Sequence, residues 1–127
     1  MPDLVDDFAQ LTLDRVPILD VRAPGEFAEG SLPHSVNLPI LTDEERASVG
    51  TEYKQKGSDS AIALGHRLVS GPVKESRLES WREWISRNPE TIITCFRGGM
   101  RSSLAQEWLA GRGTHRPRLR GGYKAMR

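Results

Sequence analysis

Apolar positions along this chain fall into two patterns: short β-branched runs, and stretches with an apolar residue every three or four positions. Runs of the first kind read as buried strands and stretches of the second as amphipathic helices. Residues 3–13 place Leu4, Phe8 and Leu11 at spacings of four and three, which predicts a short helix. Residues 17–21 form a compact apolar strand that ends in the polar corner Asp20-Val21-Arg22. Residues 24–30 make one or two helical turns closed by Gly30, and residues 35–39 give a second strand cut off by Pro39. Thr42-Asp43-Glu44-Glu45 is a capping box, so a helix starts at Thr42. The polar stretch 50–57, bounded by glycines, reads as a loop. Residues 60–69 read as a helix closed by Ser70-Gly71-Pro72, and residues 76–88 as another that gathers Leu78, Trp81, Trp84 and Ile85 on one face.

Thr91-Ile92-Ile93-Thr94 is β-branched throughout and predicts a central strand that delivers Cys95 at its C-terminal end. Residues 102–113 follow as a helix with the pairs Leu104/Trp108 and Ala105/Leu109. Arg118-Leu119-Arg120 is a weak last strand before Gly121-Gly122-Tyr123-Lys124. Strands alternating with helices predict an α/β domain with a mostly parallel central sheet and helices on both faces. No repeat or composition shift divides residues 1–127, so a single domain is expected.

Composition narrows the chemistry. No apolar run approaches the roughly 18 residues of a membrane span. The first seven residues are acidic where a signal peptide is basic, so a cytoplasmic location is expected. Cys95 is the only cysteine, which excludes an internal disulfide, and no Cys/His cluster has metal-ligand spacing. The formal net charge of +1 hides an asymmetry. Residues 1–94 carry 10 Lys/Arg against 16 Asp/Glu, whereas residues 95–127 carry 8 against 1. A basic C-terminal third favours an anionic substrate or a nucleic acid over a neutral one, although a solvated basic face has the same composition.

The eight residues Cys95-Phe96-Arg97-Gly98-Gly99-Met100-Arg101-Ser102 lie between a predicted buried strand and a predicted helix, where open α/β sheets place their sites. Gly98 and Gly99 allow positive φ angles that turn successive N–H groups inward as an anion-binding nest. The helix N-terminus adds a positive dipole end, and Arg97 and Arg101 add two cations. Such surroundings favour thiolate over thiol and make Cys95 a candidate nucleophile rather than an inert core cysteine. Arg101, at the start of the helix, is expected to fold back and grip two oxygens of the anion with its guanidinium fork.

Asp20-Val21-Arg22, Glu26-Phe27, the segment 30–39 and the Cys95 loop together resemble the rhodanese (sulfurtransferase) family across nearly the whole chain. Within it, the loop, Glu45-Arg46, Val49-Gly50, Tyr53-Lys54, Ala63-Leu64-Gly65-His66 and the closing segment 121–127 resemble the N-terminal domain of bacterial tRNA 2-selenouridine synthases. The resemblance implies a rhodanese-like three-layer fold. It also implies a transferase that replaces sulfur by selenium in 2-thiouridine at the tRNA wobble position, with selenophosphate as co-substrate, a geranylated nucleoside as intermediate and no bound cofactor or metal. Carried over, Cys95 handles the chalcogen and residues 96–102 hold selenophosphate. In that family a nucleotide-binding domain follows. This chain has no Gly-x-x-x-x-Gly-Lys-Ser/Thr loop, so it is expected to be the rhodanese part alone.

Other readings stay open. The Cys-x5-Arg spacing from Cys95 to Arg101 is also that of cysteine phosphatases of the same fold, but no aspartate stands out as the general acid for a leaving alkoxide. General sulfur transfer is a third chemistry for the same thiolate. The basic tail, with Tyr123, Lys124 and Arg127, suits tRNA phosphates or a partner domain, which would make the chain a binding module. Asp20, Arg22 and Glu26 are expected to form one supporting network that pins the neighbouring loops. Trp81 and Trp84 read as helix core, and His66 as a capping or packing residue.

Overall fold

Two apolar runs, Ile18–Asp20 and Ile92–Thr94, form the middle of the fold because each buries both faces of its strand. In the computed structural model, which describes residues 4–5, 14–97 and 99–126, the strands are β1 (Leu4–Val5), β2 (Ile18–Asp20), β3 (Ser35–Asn37), β4 (Ile92–Thr94) and β5 (Arg118–Leu119). The helices are α1 (Pro24–Glu29), α2 (Asp43–Lys56), α3 (Ser58–Leu68), α4 (Gly71–Arg87), α5 (Met100–Ala110) and α6 (Gly122–Met126). The sheet order is β1-β5-β4-β2-β3 and every pairing is parallel. Ile18 sits opposite both Ser35 and Ile92, and Asp20 opposite both Asn37 and Thr94.

Strand alternation divides the core into two layers. Leu19 and Ile93 point to one face with Leu78, Trp81 and Ile85 of α4 and Ala105 and Leu109 of α5. Ile18 and Ile92 point to the other, with Leu32 and Leu119 and with the partly buried Val5, Val16 and Tyr123. Trp81, fully buried, stacks on Trp108 at 6.1 Å between ring centroids and donates from Nε1 to the Leu38 carbonyl at 2.8 Å. Trp84 packs against the same cluster, so both tryptophans belong to the core.

Four local expectations give way. Leu4 and Val5 pair with Arg118 and Leu119 as an edge strand instead of opening a helix, and the rest of that predicted helix lies outside the described residues. Residues 50–56 continue α2 instead of looping out. The capping box holds its start, with the Glu45 N–H donating to Thr42 Oγ1 (3.2 Å) and the Thr42 N–H to Glu45 Oε1 (2.8 Å). Acidic residues in its first turn and Lys54 and Lys56 in its last complement the helix dipole, and together these offset one interior glycine. The stop comes at Gly57, whose φ of +92° suits glycine. Gly71-Pro72, read as the end of one helix, opens α4 instead, because a proline in the first turn lacks only an N–H that the helix does not use. The helix after the Cys95 loop likewise begins at Met100, two residues earlier than its apolar period suggests.

Candidate active site

The connections that leave the adjacent strands β2 and β4 run in opposite directions. From β2 the chain passes to β3 on one side, and from β4 it passes to β5 on the other. The C-terminal ends of β2 and β4 therefore flank the topological switch point, where a crevice opens in parallel sheets. The residues delivered there are Asp20 to Arg22 and Thr94 to Cys95.

The β2 corner is fixed by its own side chains. Both Asp20 oxygens accept from Arg22 Nε (3.0 Å each), Oδ2 also accepts from Arg22 Nη2 at 2.8 Å, and Oδ1 accepts the Arg22 N–H at 3.0 Å. Both residues are fully enclosed, and Arg22 Nη2 also donates to the Gly30 carbonyl at 2.7 Å. Asn37 Nδ2 donates to the carbonyls of Asp20 (3.1 Å) and Arg22 (2.8 Å), which ties β3 to the same corner.

Cys95 is 2% exposed and packs among Leu19, Val21 and Ile93 on the α4–α5 side of the sheet. Its thiol donates to Ser102 Oγ at 3.2 Å, and the Ser102 hydroxyl donates to the Gly99 carbonyl at 3.2 Å. Helix α5 starts at Met100 with Gly99 as N-cap and no side-chain cap, so its first-turn N–H groups are left for whatever occupies the loop. Gly99 itself has φ −96°, so the expected positive φ is absent there; Gly98 lies outside the described residues. The loop's outer carbonyls are held from outside: the Tyr123 N–H donates to the Cys95 carbonyl at 2.9 Å and the Lys124 N–H to that of Phe96 at 2.7 Å.

The Arg101 guanidinium does not reach into the loop. Its fork grips Glu26, Nη1 to Oε1 at 2.5 Å and Nη2 to Oε2 at 3.1 Å. The reason is chemical: Glu26, 9% exposed at the start of α1, is a fixed carboxylate within reach, and a bidentate pair satisfies both partners. Burial alone would raise the Glu26 pKa. The Arg101 hydrogen bonds and charge, the Ala23 N–H at 3.0 Å and the charge of Arg46 outweigh it and hold Glu26 below the ordinary carboxylate range. Burial likewise pulls the Arg101 pKa down, and Glu26, with smaller contributions from Cys95 and Asp20, reverses it, so Arg101 stays a cation. Glu26 thus forms a cluster with Arg101 and Arg46 rather than bonding to the Asp20–Arg22 pair.

With this geometry in view, the sequence matches the rhodanese-like domain over residues 4–127. The chain belongs to the rhodanese-like family. It is 54% identical over 121 residues to the tRNA 2-selenouridine synthase of Sulfurovum sp. (strain NBC37-1), covering 95% of this chain and 33% of that protein. The corresponding enzyme of Nitrosomonas europaea is 54% identical over 127 residues, 99% of this chain and 33% of that one. The chain spans about a third of the length of these relatives. Among solved structures, the N-terminal domain of a Clostridium difficile 630 protein is 31% identical with a TM-score of 0.81, covering 97% and 95% of the two chains. A rhodanese-related protein of Thermoplasma volcanium, 22% identical with a TM-score of 0.56 over 98% and 89%, shares the fold.

Beside the loop, a cavity of about 440 Å³ lies between α2, α3 and α5, with Met100 and Arg101 from the loop's end in its lining. Ile40, Val49, Ile62, Leu104 and Trp108 make its walls apolar, and Arg46 and Arg101 stand where it meets the loop. His66 lines it from α3. Of the other residues singled out from the sequence, Phe96 is half-buried, Arg97 and Lys124 are exposed, and Met100 is exposed at the cavity. Tyr123 is half-buried in the second core layer, and Arg127 lies outside the described residues. Sequence reasoning counted Arg46 among the resembling motifs but gave it no role at the site, where it is half-exposed with its Nε 3.4 Å from Glu26 Oε1. The signal available was its place one residue beyond the capping-box glutamate, on the first turn of α2.

Proposed function

We propose that this domain is the chalcogen-handling part of a tRNA 2-selenouridine synthase, with Cys95 as the nucleophile. The observation that carries the reading is Cys95 at the switch point, beneath the uncapped N-terminus of α5 and bonded to Ser102. Those backbone N–H groups favour a small tetrahedral anion. With thiosulfate as donor, the Cys95 thiolate attacks the outer sulfur, the S–S bond breaks, and sulfite leaves with the electron pair to give a persulfide. Selenophosphate, the donor implied by the family resemblance, has the same tetrahedral anionic head. The acceptor is 2-thiouridine in tRNA or its geranylated form, a cytoplasmic substrate, and the apolar cavity beside the loop suits a hydrocarbon substituent on the reacting sulfur. Here Arg101 contributes a cation at a set distance, with its fork occupied by Glu26.

Both carboxylates nearest the loop, Asp20 and Glu26, are gripped by guanidinium groups, which leaves neither to protonate a leaving alkoxide. That favours sulfur or selenium transfer over phosphatase chemistry. A tRNA-binding role alone is favoured less, because several of the basic residues are used internally. Arg112 pairs with Glu75, Arg116 Nε donates to the Thr91 carbonyl and Arg118 Nε to Gln106. The test is mass spectrometry after incubation with thiosulfate. One added sulfur on Cys95, removed by dithiothreitol, is expected. An unmodified Cys95 under conditions that charge a control rhodanese overturns the reading.

A further inference from the structure

We propose that Tyr123 is a positioning residue for Cys95, a latch that fixes the strand-to-loop junction from outside the site by wedging between Arg22 and Gly30. The peptide N–H groups of Tyr123 and Lys124 take the carbonyls of Cys95 and Phe96, so the direction in which the loop leaves β4 depends on where α6 sits. Nothing in α6 alone fixes that place. It has five residues, too few to be stable by itself. Gly121 (φ +73°) and Gly122 (φ +61°) let the chain turn tightly into it, and a Cβ at Gly121 would stand 2.6 Å from that of Ala125.

The side chain of Tyr123 supplies the missing anchor. The Arg22 guanidinium carbon lies 4.1 Å from its ring centroid, a cation–π distance, and Arg22 is itself immobilised by Asp20 and the Gly30 carbonyl. On another side the ring meets Phe96 at 6.5 Å between centroids. The tip of the ring runs against Gly30, where any Cβ would overlap the Tyr123 hydroxyl and come within 3.3 Å of Cζ. Gly30 is therefore required for close approach rather than for its backbone angles. One chain of contacts runs from Asp20 through Arg22 and Gly30 to Tyr123 and back to the Cys95 carbonyl, joining the ends of β2 and β4 around the crevice.

The proposal rests on Cys95 as the reacting group but not on any transfer reaction, so the experiment uses neither sulfur nor selenium donors. The readouts are hydrogen–deuterium exchange at the Tyr123 and Lys124 amides and the rate of Cys95 alkylation by iodoacetamide. Gly30→Ala is expected to push Tyr123 outward, raising both amide exchange rates at least tenfold and alkylation at least threefold. Tyr123→Phe, which removes the overlapping hydroxyl but keeps the ring, is expected to behave as the unmodified protein alone and to reverse the effect of Gly30→Ala. Tyr123→Ala, which introduces no clash, is expected to loosen the junction as Gly30→Ala does, and it carries the test where Gly30→Ala does not fold. Unchanged exchange and alkylation in Tyr123→Ala, or a double variant as loose as Gly30→Ala, overturns the proposal.

Discussion

Removing the Glu26 carboxylate should cost more than any exposed ion pair in the domain. Glu26→Gln keeps an acceptor for the Ala23 N–H but turns half of the Arg101 fork toward an amide N–H₂, leaving a guanidinium that is 23% exposed without its counter-charge. One charge-assisted hydrogen bond is lost outright, and the other keeps the charge of the guanidinium alone. Breaking a well-buried pair costs about 3–5 kcal/mol, and partial access of water to Arg101 reduces this to about 2–3 kcal/mol. The Arg46 contact, at 3.4 Å from a half-exposed side chain, adds little. A double-mutant cycle isolates the pair, because the Ala23 and Arg46 contributions appear on both sides of it. The cycle consists of Glu26→Gln, Arg101→Met and the double variant, measured by equilibrium urea unfolding. The expected coupling is about 2 kcal/mol, and the Glu26→Gln midpoint should fall by about 1 M or more. A coupling below about 0.5 kcal/mol would mean that the fork is shared with solvent, and the account of Arg101 as a fixed cation would fail.

Stability should fall in acid, with Glu26 and Glu45 as contributors, since Arg101 and Arg77 respectively hold both pKa values down in the folded state against the raising effect of burial. For such a group the contribution is complete above the unfolded-state value and is lost as pH drops through the lower folded one, so the decline lies at and below the ordinary carboxylate range. A midpoint in urea that stays constant from neutral pH down to pH 3 would contradict this. Trp81→Phe leaves the Leu38 carbonyl without its 2.8 Å donor inside the first core layer and should cost about 1–3 kcal/mol in the same unfolding assay. Ser102→Ala removes the hydroxyl 3.2 Å from Cys95 Sγ and should slow thiosulfate charging of Cys95 several-fold, measured by mass spectrometry, while changing stability by no more than about 1.5 kcal/mol.

The parts of this protein that were legible from the sequence are those whose cause is local. Ile92-Ile93-Thr94 declares a buried strand by its residue types, the capping box at Thr42 declares a helix start, and both stand in the structure as read. The site's location follows from the same elements, because a strand, a glycine-containing loop and a helix in succession can only place Cys95 at a strand's C-terminal end. What was illegible depends on partners far along the chain. Arg101 meets a carboxylate 75 positions earlier, and nothing near it distinguishes an arginine that will grip an anion from one that will grip Glu26. Residues 50–56 failed for a related reason. Their polarity reads as a loop, yet α2 buries no residue fully and is held by its capping and by packing along α3, which an apolar period does not register.

The placement of charge around Cys95 bears on how the site would release what it binds. Asp20 cancels Arg22, and Glu26 sits between Arg101 and Arg46, so the five side chains flanking the crevice carry one net positive charge. The backbone at the start of α5, equivalent to roughly half a unit charge, and the exposed Arg97 of the loop add to that attraction. A loop with both arginines free would hold a multiply charged anion tightly, product as well as substrate. Here the Glu26 carboxylate lowers that attraction while fixing the Arg101 cation in place, and the directional part of recognition falls to N–H groups that cannot reorient without moving a helix. Under the proposed function, discrimination among acceptors falls to the apolar cavity, whose walls lie on α2, α3 and α5 and which Arg46 and Arg101 border at one end. Substitutions in that cavity, such as Leu104→Ala, should therefore alter preference between bare and alkylated thiouridine while leaving thiosulfate charging of Cys95 within twofold. Parallel loss of both would show that cavity and loop act as one unit.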